Sequence, residues 1–196
     1  MDASGNLYGT TQYGGTGCGS DGCGTVYRLR PLPDGTWEET VLHRFNNDGK
    51  DGVGPGWGSL FMDGSGRLYG TTNAGGSVVG GIIYKLTSQP DGSWKESILH
   101  NFKRDAKGYS PNTGVVMDQA GNIYGTTDYG GDGCGVIYRL STVVQGKRTY
   151  TVLHTFRGPE GCLPEGNLVP DEKGNLYGVT ALGGAYGPGV VFKIVP

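Results

Sequence analysis

A six-residue motif occurs four times along the 196-residue chain and constrains its fold more than any other feature. Each copy places a Tyr-Gly pair before a short run of Thr or Val, and the copies begin at Asn6, Arg67, Asn122 and Asn175. The copies lie about 55 residues apart, a period typical of propeller blades and related repeat units. We therefore expect an array of similar units rather than one irregular core.

Three further motifs keep a fixed order within each unit, and together they predict four strands per unit. Strand A precedes an Asp-x-x-Gly turn, strand B holds the Tyr-Gly motif, strand C alternates apolar residues with an aromatic and a cation, and strand D has the form Val/Ile-Leu-His-x-Phe. Alternation of this kind is typical of β-strands. Fourteen antiparallel strands are expected: A at 59–62, 114–117 and 167–170; B at 6–11, 67–72, 122–127 and 175–180; C at 26–29, 83–86, 137–140 and 191–194; D at 41–45, 98–102 and 152–156.

The glycine content indicates many tight turns between short strands. Glycine accounts for 40 of the 196 residues, far above the usual share of about 7%, and it has no collagen-like period. Asp-x-x-Gly turns would join A to B, and Pro-Asp-Gly turns at 33–35 and 90–92 would join C to D. The Gly-rich B–C and D–A connections then share the opposite face. These features predict an all-β, propeller-like array of about four blades, with a β-solenoid as the alternative.

The repeat boundaries predict a single repeat domain over 1–196, with units at approximately 1–56, 57–111, 112–164 and 165–196. The first unit has no strand A motif and the last has no strand D motif, so both terminal blades are expected to be incomplete. An incomplete blade has a strand edge that can pair with another chain. We therefore expect a homo-oligomer, or further repeats of the same polypeptide, as the partner.

Charge and hydropathy exclude several classes of partner. The net charge is −2 and no segment concentrates Lys or Arg, so we expect no nucleic-acid binding. No apolar run reaches the length of a membrane span. The residues before the first copy, Met1 to Gly5, do not resemble an export signal.

No motif with an established catalytic mechanism is present in the sequence. The nucleophile elbow, the P-loop and the dinucleotide fingerprint are all missing, and the acidic residues are scattered over turns. An enzyme on a repeat scaffold would be expected to break the repeat at its site. The sequence therefore predicts a non-enzymatic protein without a cofactor.

The repeated motifs resemble the GloVer-type tandem repeats of choice-of-anchor bacterial surface proteins. In those proteins a G-N-L-Y-G-T-T segment is followed by G-T-V-F-K-L and V-L-x-x-F segments, and all four copies in this chain are similar to that pattern. The resemblance implies an extracellular or cell-surface location and implies no enzymatic activity. The Asp-x-x-Gly-Asn-x-Tyr turn is also similar to the turns of NHL-type propellers, which supports the fold but not a function.

The four cysteines lie in the Gly-rich connections. Cys18 and Cys23 share the first B–C loop, Cys134 lies in the third B–C loop, and Cys162 lies in the next D–A loop. Four cysteines allow three pairings. Because the two kinds of loop share a face, Cys18–Cys23 and Cys134–Cys162 bridges are favoured, and these would suit an oxidising compartment. A four-cysteine zinc site is the alternative, although it lacks a C-x2-C pair.

Two sets of residues could be mistaken for metal ligands. His43, His100 and His154 occupy the same slot of strand D in successive units, which favours a structural role. The segment 46–52 is rich in oxygen donors but lacks the spacing of a calcium loop, so a solvated turn is favoured. We predict no metal, and we interpret the repeated aspartates as turn residues: Asp2, Asp63, Asp118 and Asp171.

Polar and aromatic residues follow the Thr-Thr end of strand B and would lie around one face of the array. Tyr with Asn, Asp and Gln is a mixture that stacks on sugars and hydrogen-bonds to them, although the tyrosines could instead pack on adjacent blades. The leading prediction is thus a structural or interaction module. A carbohydrate-binding propeller is the alternative, and a propeller-based lyase or hydrolase has the least support. The candidate ligand-binding residues are Gln12, Tyr13, Trp57, Asn73, Asp128 and Tyr129.

Overall fold

A computed structural model describes all 196 residues, and it contains fifteen β-strands and one 3-10 turn at Gly158–Glu160. The strands form four antiparallel sheets that follow one another along the chain. The all-β prediction is confirmed, and every predicted strand is present. The fold has no helix of the length and apolar character needed to cross a bilayer.

The first sheet contains three strands, β1 (Leu7–Thr11), β2 (Thr25–Pro31) and β3 (Trp37–Arg44). The second contains β4 (Gly52–Pro55), β5 (Phe61–Met62), β6 (Leu68–Gly75), β7 (Val79–Ser88) and β8 (Trp94–Lys103). The third contains β9 (Val116–Met117), β10 (Ile123–Thr127), β11 (Val136–Leu140) and β12 (Tyr150–Thr155), and the fourth contains β13 (Cys162–Pro170), β14 (Leu176–Leu182) and β15 (Val191–Ile194). The first and fourth sheets therefore have three strands each.

The structure adds one strand, β4, to those predicted. β4 pairs with the end of β6, where Val53 lies opposite Ala74, while β5 pairs with its beginning, where Phe61 lies opposite Tyr69. In the fourth sheet β13 covers both halves of β14 as one strand with an irregularity after Glu165. In the second and fourth sheets the pairing on the strand A side thus extends along most of strand B, and the sequence motif marked only its second half.

Equivalent residues occupy equivalent registers in all four sheets. The tyrosine of strand B lies opposite the cation of strand C in each, as in the Tyr69–Lys85 and Tyr124–Arg139 pairs. The same register joins Tyr8 to Arg28 and Tyr177 to Lys193. The sequence repeat is therefore a structural repeat.

Hydrophobic side chains pack between successive sheets. Three clusters form the core, and each combines residues of two sheets that are adjacent along the chain. In β7, Ile82 belongs to the cluster shared with the first sheet, and Ile83 belongs to the cluster shared with the third. Alternate side chains of a strand point to opposite faces, so each inner sheet is covered on both sides. This arrangement is compatible with a propeller-like array.

One aromatic contact recurs at each junction between sheets. The phenylalanine of strand D meets the strand C aromatic of the next sheet in an edge-to-face arrangement, a favourable geometry for two rings. The ring centroids are 5.1 Å apart for Phe45 and Tyr84, 5.3 Å for Phe102 and Tyr138, and 5.1 Å for Phe156 and Phe192. This contact explains the last residue of the Val/Ile-Leu-His-x-Phe motif.

The glycine of the Tyr-Gly motif makes room for the same strand C aromatic. A methyl group on Gly70 would overlap the ring of Tyr84, and one on Gly125 would overlap the ring of Tyr138. Any side chain at these positions would displace a ring that is fully buried. The motif therefore requires glycine for packing rather than for a turn.

The repeated aspartate organises the turn between strands A and B. In the third unit, Asp118 Oδ1 accepts from the backbone N–H of Asn122 at 2.9 Å, and its Oδ2 accepts from Asn122 Nδ2 at 2.7 Å and from the Tyr124 hydroxyl at 2.9 Å. In the first unit, the side chain of Asn6 is the main cause that lowers the pKa of Asp2 to about 2. The aspartates are turn residues, as the sequence predicted.

Candidate functional site

The last residue of the Tyr-Gly motif, a threonine in every copy, closes each B–C loop and fixes the residues that follow it. In the third sheet, the hydroxyl of Thr127 donates to the carbonyl of Tyr129 at 2.8 Å and accepts from the N–H of Val136 at 3.3 Å. The same pair of bonds is made by Thr11, Thr72 and Thr180. The next residue in each sheet, which is Gln12, Asn73, Asp128 or Ala181, is thereby held at the end of the sheet.

Strand A segments of successive sheets come into contact beside these loops. Gly58 packs so closely against the backbone of Gly114 that no side chain fits between them. The N–H of Gly114 in turn donates to Oδ1 of Asn167 at 2.8 Å. The A edges of the second, third and fourth sheets therefore converge, and the residues just before them line a shared surface.

Trp57 lies on this surface between two cavities. The first has a volume of about 250 Å³ and is lined by Thr10, Gln12, Pro55, Gly56 and Trp57. The second has a volume of about 330 Å³ and is lined by Trp57, Asn112, Thr113, Asp128, Pro164, Glu165 and Gly166. We call these lining residues together the Trp57 groove. Trp57 is 81% exposed, so a ligand could reach its indole from solvent.

The second cavity is acidic and partly shielded from water. Burial, and to a smaller extent the nearby charge of Glu165, raise the pKa of Asp128 to about 6, and a hydrogen bond from Asn112 opposes this rise. A carboxyl group that titrates near neutral pH can donate or accept a hydrogen bond to a hydroxyl. Beside an exposed indole, this arrangement can bind a polar ligand that has an apolar face.

The structure brings together three of the six candidate ligand-binding residues, Gln12, Trp57 and Asp128. The other three do not line the groove. Tyr129 stacks on Tyr109 with ring centroids 5.3 Å apart, and the two residues exchange backbone hydrogen bonds. Tyr13 is exposed outside the cavities, and Asn73 lies against Gly54.

Sequence reasoning missed the contribution of the D–A connection to this site. Asn112, Thr113 and Glu165 line the second cavity, although none was a candidate. The sequence does contain a signal for these residues, because a proline precedes the lining segment at every junction: Pro55, Pro111 and Pro164. The two residues after that proline vary between units, which makes them natural sites for unit-specific contacts.

A larger cavity of about 590 Å³ lies at the A–B turns of the third and fourth sheets. Its acidic lining includes Asp118 and Asp171, whose carboxylates are already bonded to their own turn residues. Val195 and Pro196 form part of its wall. These two carboxylates are therefore already used by the turns, and this cavity has no exposed aromatic side chain like that of Trp57.

Both disulfides that the sequence favours are present, Cys18–Cys23 and Cys134–Cys162. The second joins the loop before β11 to the first residue of β13, and so links the third sheet to the fourth. At the same junction, the N–H of Leu163 donates to the carbonyl of Cys134 at 3.0 Å. The disulfide thus reinforces a backbone contact between two sheets.

The three histidines lie in equivalent positions but have different neighbours. His100 stacks on Tyr150 with ring centroids 4.3 Å apart, and burial lowers the pKa of His100 to about 4. His154 lies 3.4 Å from Glu160. His43 is close to Asp51 and Glu96, and burial together with the charge of Asp51 raises the pKa of Glu96 to about 7. The three histidines thus share a position in strand D, but the side chains around them differ at each junction.

Comparisons with known proteins identify one family. The family model described as the Gloeobacter/Verrucomicrobia repeat matches residues 1–196. No curated protein has significant similarity to the chain. A crystal structure of a protein of unknown function from Dyadobacter fermentans DSM 18053 is similar to the chain with a TM-score of 0.48 and 12% sequence identity. The match covers 90% of this chain and 58% of that protein, so this chain spans little more than half of the relative's length.

Proposed function

This chain belongs to the Gloeobacter/Verrucomicrobia repeat family, and on that basis we propose that it is a non-enzymatic structural or interaction module that works outside the cell or at the cell surface. We further propose that it associates with other repeat units through the faces of its end sheets. The partner is a second copy of the chain or further repeats of the same polypeptide. The observation that supports this proposal is an incomplete aromatic contact, because the strand C aromatic of the first sheet has no phenylalanine packed against it.

In the second and third sheets, a phenylalanine from the preceding sheet covers the aromatic residue of strand C. The first sheet has the same aromatic residue, but no phenylalanine covers it. Tyr84 and Tyr138 are fully buried beneath Phe45 and Phe102 of the preceding sheets. Tyr27 occupies the equivalent position in β2, and it is only half-buried. A phenylalanine from another repeat unit would bury it, with a gain of about 0.5–1.5 kcal/mol beyond the area covered.

The fourth sheet exposes apolar side chains that inner sheets cover. Val191 on β15 is 78% exposed, whereas its counterpart Ile83 in the second sheet is fully buried. Val179, which lies opposite Val191, and Val169 of the same sheet are also exposed. Clustered exposure of this kind marks interaction surfaces in soluble proteins.

Measurement of the oligomeric state tests the association. We expect sedimentation equilibrium to detect species larger than the 20.6 kDa chain at high concentration, and we expect Tyr27→Lys to shift the population towards the single chain. Tyr13→Lys, at an exposed position outside the junctions, is the matched control. A chain of 20.6 kDa that does not associate at any concentration would contradict the proposal.

The thiol state tests the location. Protein isolated from its native compartment without reducing agent is expected to contain both disulfides by mass analysis, because such bonds persist in oxidising compartments. Finding all four cysteines as free thiols would argue against an extracellular role. This measurement is independent of the oligomeric state.

Binding of glycans is a second candidate function, and the exposure of Trp57 favours it. Exposed indoles stack on the apolar face of a sugar, and carboxyl and amide groups beside them bind its hydroxyls. A glycan array should then show binding that Trp57→Ala abolishes and Tyr186→Ala preserves. Release of sugar from any array ligand would contradict the non-enzymatic part of the proposal.

A further inference from the structure

Three ionisable side chains meet at the junction of the first and second sheets. His43 lies on β3, Asp51 immediately precedes β4, and Glu96 lies on β8. Nε2 of His43 is 3.2 Å from Oδ2 of Asp51 and 3.8 Å from Oε1 of Glu96. One donor atom from each residue lies within 4.8 Å of the other two. We propose that these three side chains bind a divalent transition-metal ion, with Zn²⁺ as the best fit, and that the ion ties the two sheets together.

The spacing of the donor atoms agrees with this proposal. Zinc binds imidazole nitrogen and carboxylate oxygen at about 2.0–2.2 Å, so two ligands of one tetrahedral ion are separated by about 3.4 Å. The two distances from the imidazole nitrogen, 3.2 and 3.8 Å, lie on either side of that value. One imidazole and two carboxylates form a donor set suited to Zn²⁺ and leave the fourth position to water.

Glu96 supplies the second observation that points to a ligand. Its Oε1 atom is buried and has no hydrogen-bond donor within the protein. Buried carboxylate oxygens normally find a donor or a cation, because an unsatisfied one costs free energy. The imidazole of His43 and the carboxylate of Asp51 are close to it, and a metal ion between the three would satisfy Oε1.

The other two ligands are already oriented. Oδ2 of Asp51 accepts from the backbone N–H of Asn46 at 3.1 Å and from its side-chain amide at 3.2 Å, while Oδ1 accepts from the N–H of Gly52 at 2.6 Å. The ring of His43 packs edge-on against Phe45, with centroids 4.7 Å apart. Binding would therefore require little reorganisation, a property that outer contacts confer on metal sites.

The repeat itself provides an internal comparison. Glu96 and Tyr150 pair with equivalent residues of strand C, Leu86 and Leu140, so they occupy the same position in successive sheets. At the second junction the tyrosine ring fills the slot by stacking on His100, and its hydroxyl donates to the carbonyl of Lys107 at 2.7 Å. The first junction replaces that packed ring with a carboxylate directed at the imidazole. Packing alone does not require this substitution.

The full chain, stripped with a chelator and then dialysed, allows a direct test. Isothermal titration with Zn²⁺ should give one site per chain, and saturating Zn²⁺ should raise the thermal unfolding midpoint. Glu96→Gln keeps the shape of the side chain and is expected to weaken Zn²⁺ binding at least tenfold, and His43→Gln should do the same. Glu160→Gln, at the third junction, should leave the affinity unchanged.

The variants distinguish loss of binding from loss of folding. Glu96→Gln removes a buried carboxylate, so the metal-free variant should be at least as stable as the metal-free parent while failing to respond to Zn²⁺. Equal affinity in the parent and Glu96→Gln would overturn the proposal. A midpoint raised by Ca²⁺ or Mg²⁺ and not by Zn²⁺ would overturn the assignment to a transition metal, and the absence of any binding would overturn the proposal as a whole.

Discussion

The ring of Phe102 packs edge-on against the ring of Tyr138, with centroids 5.3 Å apart, across the junction of the second and third sheets. Both rings are buried, and Phe102 also meets Tyr150 at 5.7 Å. The contact joins strand D of one unit to strand C of the next, so it connects residues that no hydrogen-bond ladder connects. Its loss should therefore affect the packing between sheets more than the sheets themselves.

Phe102→Ala is expected to lower the free energy of unfolding by about 3–5 kcal/mol, because it removes a buried ring and leaves a cavity. Denaturant unfolding followed by fluorescence measures the change. The exposed residue Tyr186 offers a matched control, for which truncation to Ala should change stability by less than about 0.5 kcal/mol. Similar losses for the two variants would mean that the junction contributes little.

Gly125→Ala should destabilise the protein by about 1–3 kcal/mol, because the added methyl group overlaps the ring of Tyr138 and overpacks the core. Gly64→Ala is the control, since a methyl group at Gly64 meets no atom within 4 Å. The two variants are compared by thermal unfolding. If Gly125→Ala were as stable as Gly64→Ala, the close approach would not explain the glycine of the repeated motif.

The two disulfides should contribute unequally to stability. Cys134 and Cys162 are 28 residues apart, and Cys18 and Cys23 are 5 apart. Loop-closure entropy gives about 3–4 kcal/mol for the longer loop and about 2 kcal/mol for the shorter one. Replacing each pair with serine and measuring denaturant midpoints tests this order, and a larger loss for the Cys18–Cys23 pair would contradict it.

His100 should make the protein less stable in acid. Burial lowers the pKa of His100 to about 4 in the folded protein, against about 6.5 in the unfolded chain. The unfolded state therefore binds more protons between these values, and stability present above about pH 6.5 is lost as the pH falls towards 4, by up to about 2–3 kcal/mol.

His100→Phe keeps a ring over Tyr150 and is expected to remove this part of the pH dependence. Urea unfolding at pH 7 and at pH 4.5 gives the change in the free energy of unfolding between the two pH values, and this change is compared between the variant and the parent. His154→Phe serves as the control, because it leaves His100 and its stacking intact. If the free energy of unfolding changed between pH 7 and pH 4.5 by the same amount in His100→Phe as in the parent, the assignment of this pH dependence to His100 would be wrong.

The sequence predicted the strand order, because the motifs recur at a fixed spacing, and it favoured the disulfide pairs, because the loops that carry the cysteines share a face. The Asp-x-x-Gly turn and the tyrosine six residues after the aspartate are local, so their hydrogen bonds follow from the motif. β4 was missed because Gly52 to Pro55 carry no strand pattern and pair only through their backbone with the extended end of β6.

The sites were harder to predict, since they depend on how neighbouring units face each other. Trp57, Asp128 and Gln12 come from three different loops, and only their convergence at the A edges makes a groove. The sequence pattern also predicted that His43 is one of three equivalent structural residues. Its difference from His100 arises from position 96 in the next sheet, where Glu replaces the Tyr found at position 150.

The hydrophobic cluster at each junction uses residues of the two adjoining units alone, and this has a consequence for how such genes evolve. A gene that duplicates one whole unit would encode an added sheet that already carries both halves of the aromatic contact. No compensating mutation elsewhere would be needed, because stability in such arrays is approximately a sum over units and nearest neighbours. A point mutation at a junction, by contrast, must fit the side chains of both adjoining sheets. Lineages with this architecture can therefore change length more readily than they can change a junction.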